Sequence, residues 1–580
     1  MAGFMDCFGN QLIYFDGAMG TMLQAAGLAG GEEPESWNIL HPEAVKRIHL
    51  DYLRSGADII IANTFGVVKQ HFLDKAQAYM IAGVKIAREA VLEEKKGFVA
   101  ADIGPLGRFL QPYGDVPFEC AVEIFRNVAI SGITAGADLL LVETMTDMFE
   151  LKAAVLGVKE AIQYLGRDLP LICSLSFCVN GRLLTGGDIR GTVAMLEGLG
   201  INAIGLNCGN EPYALMDNVK ALLRWSSLPV FVCPNASLPV MESGKTVFPV
   251  NAETFAQGMR EIAELGAWGV GGCCGTTPEY IEAICRFTAG MKLKTREKYD
   301  DCVVSGRTGS LALNQKPVMI GENINPTGKP HMRKALMEKD MDFLVGEAID
   351  QARAGADALD INVWDLEINE AEILPLAILS IQMGCGLPLQ LDSSNPAALE
   401  AALRVYIGKP IINSVCGKKQ VMDSVFPLAA KYGGVVVALT LDENGIPPTA
   451  DGRVAIARRI IEESKKYGIQ QSNLLFDALA MPVSTQEDSA LVTLQTVSRL
   501  SQELGVKTIL GVSNISFGLP DRRLLNAAFM AMAVSHGLSA AILNPLDETM
   551  RCIWSAAMAV AGKDHNFSQY LGHHVLSSNG

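Results

Sequence analysis

The chain has 580 residues, too many for one ordinary hydrophobic core, so two or more domains are expected. Apolar residues make up 49% and charged residues 19%, which describes a packed globular protein and excludes a disordered or fibrous one. With 48 Lys and Arg against 63 Asp and Glu the net charge is −15, so no broad footprint for nucleic acid exists, although a local cationic pocket for a small anion is compatible with it.

The opening stretch MAGFMDCFGNQLIYFDG carries an Asp early, has no Lys or Arg before its apolar part and lacks a long apolar core. It does not read as a secretory signal, and a cytoplasmic protein is expected. No run reaches the roughly 18 uninterrupted apolar residues of a membrane span; the nearest, AAFMAMAVSHGLSAAIL, is broken by Ser, His and Gly. In that compartment the 13 cysteines are expected to be thiols, most of them small core residues.

Short runs rich in Val, Ile and Leu recur through the first half, each closing on a polar residue or glycine and each followed by a helix-like segment. Eight are predicted as strands: 12–19, 58–66, 97–105, 138–145, 170–177, 202–209, 229–236 and 268–275. Continuously apolar strands alternating with helices belong to a parallel sheet buried on both faces, and eight such units suggest a closed (β/α)8 barrel. The charged stretch MKLKTREKYDDCVVSGRTGS (291–310) interrupts the rhythm, after which the count restarts at 317–325, 357–364, 387–394, 410–417, 434–445, 473–482, 508–518 and 539–546. The expected class is therefore α/β with two consecutive (β/α)8 barrels: a first domain over 1–300, a linker over 301–314 and a second domain over 315–580. A doubly wound open sheet in either half is the alternative.

Barrel enzymes place their chemistry at the C-terminal ends of the strands. In the first half those ends present Asp16, Asn63, Asp102, Glu143, Ser176, Asn207 with Cys208, Asn235, and Cys273 with Cys274. Cys208 closes the sixth strand and the pair closes the eighth, so one strand separates them in a closed barrel and three sulfurs can converge above the rim. Three thiolates describe a zinc site with an open fourth position. The glycines of VGGCCG let the backbone bend enough for both adjacent sulfurs to turn inward. The other explanation is that Cys208 fills core and the pair is coincidental. A zinc–thiolate centre would hold a substrate thiol as thiolate near neutral pH, below the about 8.5 at which free thiols titrate, and so implies S-alkylation. Asp16 and Glu143 would recognise the ammonium of an amino acid thiol, with its carboxylate on backbone N–H groups of the Gly17–Gly20 loop; they are otherwise solvated or capping groups.

DGAMGT, ANTFG, VETM, GLNC and GGCCGTTP together resemble the homocysteine S-methyltransferase family over about residues 10–290. The resemblance implies zinc on Cys208, Cys273 and Cys274, with homocysteine beside Asp16, Gly17, Ala18, Met19, Glu143 and Asn235, and Glu143 in a catalytic role. PNAS at 234–237 departs from the family, where Gly is expected after PNA, and touches a loop contact rather than the metal.

The second set of strand ends has no cysteine cluster but many acceptors: Glu322, Asn323, Asn325, Asp360, Asn362, Asp392, Asn413, Asp477 and Asn514. Short Asp and Asn side chains on rigid strands match the edge of a planar polar ring and lose little rotamer entropy, which suits a pterin. Several could instead be helix caps; in DSSNPAALEAAL a cap is favoured for Ser394 or Asn395. GENINPTGK, LDINV, LDSSNP, INSV and GVSNISFGLPDR look like the pterin-binding family, and SNISFGLPDR resembles its methyltetrahydrofolate methyltransferase branch, over about residues 315–565. By that resemblance Glu322, Asn325, Asp360, Asp392, Asn413, Asp477, Ser516 and Arg522 line the folate pocket, and Asn514 approaches N5 as a catalytic group, stabilising protonated N5 through a network because an amide is not itself an acid.

In order, the halves are similar to the first two modules of the cobalamin-dependent methionine synthase family. That implies methyl transfer from 5-methyltetrahydrofolate through methylcobalamin to homocysteine. The cobalt-ligand motif DxHxxG is absent: His565 in KDHNFSQ has no Gly three residues later. The cobalamin is therefore expected on a separate domain or protein, the chain being a fragment or one half of a split system. Two alternatives stay open: a corrinoid-dependent methyltransferase with a different thiol or methyl donor, and a non-catalytic folate- and metal-binding subunit.

Overall fold

The computed structural model describes residues 8, 11–69, 74–242, 245–296 and 301–577. Residues 1–7, 9 and 10 of the opening stretch, and 297–300 of the charged stretch, lie outside the described residues. The chain divides into two compact units, Met1–Tyr299 and Asp300–Gly580, each with its own core.

In the first unit eight parallel strands form one sheet: β1 (Ile13–Tyr14), β2 (Ile59–Ile61), β3 (Phe98–Ile103), β4 (Leu139–Met145), β5 (Leu171–Leu175), β6 (Ala203–Cys208), β7 (Val230–Pro234) and β8 (Gly269–Val270). Their order is β1-β8-β7-β6-β5-β4-β3-β2. A parallel bridge between Phe15 and Ile59 joins the two ends. There the N–H of Asp16 donates to Ile59 O (3.0 Å) and that of Asp58 to Tyr14 O (2.7 Å). Phe15, Leu139, Leu141, Ile172, Phe231 and Trp268 fill the interior. Phe15 and Phe231 stack at 4.9 Å, with Trp268 edge-on to Phe15. The rings need Gly205 and Gly269 on β6 and β8, where a Cβ would stand 2.5 Å from Phe231 Cε2 and 2.7 Å from Phe15 Cε2. The interior is thus packed core, and only the strand ends are free for chemistry.

The second unit is a closed barrel of β9 (Val318–Ile324), β10 (Ala358–Asn362), β11 (Leu389–Asp392), β12 (Ile411–Cys416), β13 (Val435–Leu439), β14 (Leu474–Asp477), β15 (Lys507–Gly511) and β16 (Ala540–Leu543). The stretch expected to be a linker over 301–314 folds as an antiparallel hairpin, Val303–Ser305 with Ser310–Ala312. Cys302, Val304 and Leu313 join Val318, Ile320, Ile411 and Val435 in one core. Ser305 N–H donates to Lys409 O (2.9 Å) and Tyr406 Oη to Ser305 O (2.9 Å), which ties the hairpin to the loop before β12. Its strands are three residues each, too short to stand out beside the charges that precede them. All sixteen predicted strands overlap observed ones. Among the described residues no helix is long and apolar enough to cross a membrane.

Three strands carry a register irregularity near the C-terminal end, between Val142 and Met145 on β4, Gly321 and Ile324 on β9, and Asn413 and Val415 on β12. Bulges re-aim side chains. They fall at Glu143, Glu322 and Asn413, three of the predicted site residues.

Candidate active sites at the barrel mouths

Cys208 ends β6 with φ 58°, and Gly209 follows at φ 76°. A non-glycine residue in that region is uncommon and turns the chain sharply out of the strand. Beyond β8, Cys273 N–H donates to Pro234 O (2.8 Å), and Cys274 O accepts from Ala236 N (3.0 Å). The Thr276 hydroxyl donates to Cys273 O (2.7 Å) and accepts from Ala18 N (3.2 Å). Gly272 is required there, since a Cβ would stand 2.4 Å from Thr276 Oγ1.

These constraints bring the Sγ atoms of Cys208, Cys273 and Cys274 within 4.8 Å of one another, with 2.9 Å between those of Cys208 and Cys273. Thiolates bound at about 2.3 Å in a tetrahedral set stand about 3.8 Å apart, so the three residues fit a zinc ion with the closest pair opening slightly. Hydrogen bonds from Cys208 and Cys273 hold the Cys274 thiol below the usual thiol range.

A cavity of about 300 Å³ opens beside the sulfurs, lined among others by Gly17, Ala18, Met19, Glu35, Asn63, Asp102, Glu143 and Asn207. Burial pushes Glu143 up to about 7 and Asp102 well above the usual carboxylate range. The negative field of Glu143 adds to the effect of burial on Asp102, whose Oδ1 is buried without a partner. Asp16 and Asn235 are not among the lining residues. Asp16 is 1% exposed and its Oδ2 accepts from Ile61 N (2.8 Å) across the β1–β2 seam, while Oδ1 is buried without a partner. Asn235 Nδ2 donates to Gly209 O (3.4 Å), and its buried Oδ1 has no partner.

In the second barrel Asn362, Asp392 and Asn413 stand side by side in register on β10, β11 and β12. Asn362 Nδ2 donates to Asp392 Oδ2 (2.9 Å), and Gln390 Nε2 to Asp360 Oδ1 (2.7 Å). Asn413 hydrogen-bonds Asp360, but burial dominates and holds that carboxyl well above its usual range. Glu322 accepts from Ser513 Oγ (2.9 Å). Arg522 donates to Ser516 Oγ (3.0 Å) and Ser513 O (2.7 Å), pinning the turn Val512–Ser516 that presents Asn514. Asn325 Oδ1 accepts from Thr327 N (2.9 Å), so that oxygen serves its own loop. Asn395 caps the helix Pro396–Val405 by accepting from Ala397 N (3.0 Å).

Asp477 is half-buried at the end of β14, where desolvation raises it to about 6 against the lowering effects of Leu479 N and Arg453. Its folded pKa lies above the unfolded one, so its contribution to stability is full below about pH 4 and is lost as pH rises through about 6. The shift corresponds to about 3 kcal/mol. Asp477→Asn is expected to remove this pH dependence, gaining stability relative to wild type between about pH 4 and 6; parallel unfolding curves in urea for both proteins across that range would contradict it.

Residues 13–288 match the family model described as Homocysteine S-methyltransferase, and residues 321–544 the one described as Pterin binding enzyme. The first barrel belongs to the homocysteine S-methyltransferase family, the second to the pterin-binding enzymes. Two curated relatives, each named methionine synthase, come from Mycobacterium tuberculosis (strain ATCC 25618 / H37Rv) and Mycobacterium leprae (strain TN). Each is 32% identical over 93% of this chain and 48% of its own length, so the chain spans about half the length of the curated relatives it matches. Among solved structures, the Escherichia coli homocysteine methyltransferase MmuM is 25% identical in its apo form, covering 49% of this chain and 98% of that one with TM-score 0.39. Its metallated form covers 47% and 95%, at 25% identity and TM-score 0.40.

Sequence reasoning assigned no role to several groups at these mouths. In the homocysteine S-methyltransferase domain Glu35 sits in the short 3-10 turn Pro34–Ser36, with no strand signal, yet lines the cavity, 4% exposed, and accepts from Gly66 N (2.6 Å). In the pterin-binding domain Gln351, on the helix Met341–Arg353, accepts from Asn323 N (3.0 Å) at the β9 irregularity. A helical Gln gives no such signal, whereas Gln390 does: an amide inside the apolar run LPLQLD.

Proposed function

We propose that the chain is a methionine synthase-type methyltransferase. It takes the methyl group of 5-methyltetrahydrofolate, by way of a cobalamin carried on a separate domain or protein, to the thiolate of homocysteine, giving methionine and tetrahydrofolate. The observation that carries this reading is the convergence of three sulfurs beside a carboxyl-lined cavity. The two domain families and the name shared by the two mycobacterial relatives support it.

Cys208, Cys273 and Cys274 would hold zinc, which when bound supplies a Lewis acid that keeps a fourth, sulfur ligand deprotonated near neutral pH. Glu143 receives the homocysteine ammonium, and the loop of Gly17, Ala18 and Met19, whose Ala18 N–H is taken by Thr276, receives the carboxylate; Asp16 ties the start of that loop to Ile61 N–H, and Asn235 holds Gly209 O beside Cys208.

In the second barrel Asp360, Asp392, Asn413 and Asp477 read the amino-pyrimidinone edge of the pterin, with Glu322, Asn325, Ser516 and Arg522 completing the pocket. As the methyl leaves, N5 retains the electron pair of the broken bond, and protonation there makes it a better leaving group. Asn514 hydrogen-bonds the protonated nitrogen. No residue here is assigned to hold the corrinoid, since the cobalt-ligand motif is absent from the sequence. The requirement for free thiols supports a cytoplasmic setting.

The test is stepwise turnover. With methylcobalamin as donor, zinc-loaded protein is expected to convert homocysteine to methionine, and with cob(I)alamin to demethylate methyltetrahydrofolate. A chelated, metal-free protein that methylates homocysteine equally fast would overturn the thiolate half. Stronger competition by another thiol or methyl donor would redirect the reading to a related methyltransferase.

A further inference from the structure

Two residues at the first barrel mouth, Thr144 and Cys208, are held in the left-handed region, both at φ 58°. For a β-branched residue such as Thr144 that conformation is a strained outlier, which persists only where its surroundings over-determine it. One buried amide meets both. Asn207, 1% exposed, accepts through Oδ1 from Thr144 N (3.1 Å) and Ser174 Oγ (2.8 Å). Its Nδ2 donates to Thr144 Oγ1 (2.7 Å), and also lies 3.5 Å from Glu143 Oε2 and 3.8 Å from Cys208 Sγ. One amide hydrogen is thus committed to Thr144, and the other faces the gap between the carboxylate and the sulfur.

We propose that Asn207 is a positioning residue for the methyl-accepting site. Its side chain clamps Thr144 in the strained conformation that turns Glu143 into the cavity, and its second N–H steadies the sulfur of Cys208. Ser174 fixes the orientation of the amide by donating to its oxygen, so the side chain cannot flip its NH2 toward β5 without losing that bond. The inference rests on the proposed zinc and homocysteine site and adds how its carboxylate and one of its sulfurs are held at a common distance. Groups behind metal ligands orient them, and losing one typically costs 10- to 100-fold in metal affinity.

The experiment is a double-mutant cycle on the full chain with Asn207→Ala, Thr144→Gly and both together. Zinc affinity is read by chelator competition, and KM and kcat for homocysteine are measured with methylcobalamin as donor. Asn207→Ala is expected to weaken zinc by about 10- to 100-fold, and to raise KM by a larger factor than it lowers kcat. Glycine adopts positive φ without strain, so in the Thr144→Gly background the KM penalty of Asn207→Ala is expected to shrink severalfold. Ser174→Ala, a milder change, should shift both readouts in the same direction by less. An Asn207→Ala protein that folds only when Thr144 is also Gly would support the clamp equally. Zinc affinity and KM within about twofold of wild type, or the same KM penalty in both backgrounds, would overturn it. Wild-type protein that binds no zinc would instead sink the proposed site itself, and so separates the two failures.

Discussion

Cys208→Ala is expected to reduce bound zinc from about one per chain to below about a tenth, and to slow methylation of homocysteine by at least about 1,000-fold. Two adjacent sulfurs on one turn cannot enclose a tetrahedral ion, because the third donor arrives from another strand. The Cys208 and Cys273 sulfurs stand 2.9 Å apart although 65 residues separate them in sequence. The loss in rate follows from the thiol: unbound, it titrates near about 8.5 and is mostly protonated at pH 7. It also loses its anchor beside the cavity, and positioning of a reactant alone is worth several orders of magnitude. Metal analysis together with methionine formation checks both parts. Retention of more than half the zinc by the variant, with activity to match, would contradict the assignment.

The second large effect is expected at Asp392→Ala, which should weaken 5-methyltetrahydrofolate binding by at least about 100-fold by calorimetry. Asp392 stands between Asn362 and Asn413 in one row at the strand ends, and accepts from Asn362. A hydrogen bond to a charged acceptor is worth about 1.5–3 kcal/mol, and leaving Asn362 unpaired adds about 1–3 kcal/mol. Even the low ends of these ranges together approach the 2.7 kcal/mol or so that corresponds to 100-fold. Homocysteine-dependent zinc chemistry should be unchanged in this variant, because it lies in the other unit. A change in folate affinity below about fivefold would remove Asp392 from the pocket.

The barrels were legible because their strands are buried on both faces and so read as unbroken apolar runs that end on a polar residue. The cysteine trio was legible for a related reason, since strand ends converge in a closed barrel regardless of sequence distance. Which strand-end group faces the cavity was not. Asp16 lies just beyond the very short β1, and one of its oxygens seals the seam to β2 on Ile61 N–H. That use depends on barrel closure, which no local pattern encodes. Glu35 and Gln351 reach the barrel mouths from a 3-10 turn and a helix through contacts 31 and 28 residues away in sequence. The hairpin at 303–312 does not stand out in the sequence because its apolar residues gain meaning only when the core they fill is present. The irregularities in β4, β9 and β12 are likewise properties of paired strands, visible only in register.

X-ray absorption at the zinc edge of the full chain, recorded before and after homocysteine is added, counts the sulfurs around the metal. Three sulfur neighbours and one lighter atom are expected at first, and four sulfurs once the thiol is bound. A first shell with fewer than three sulfurs, or one that does not change when homocysteine is present, would contradict it.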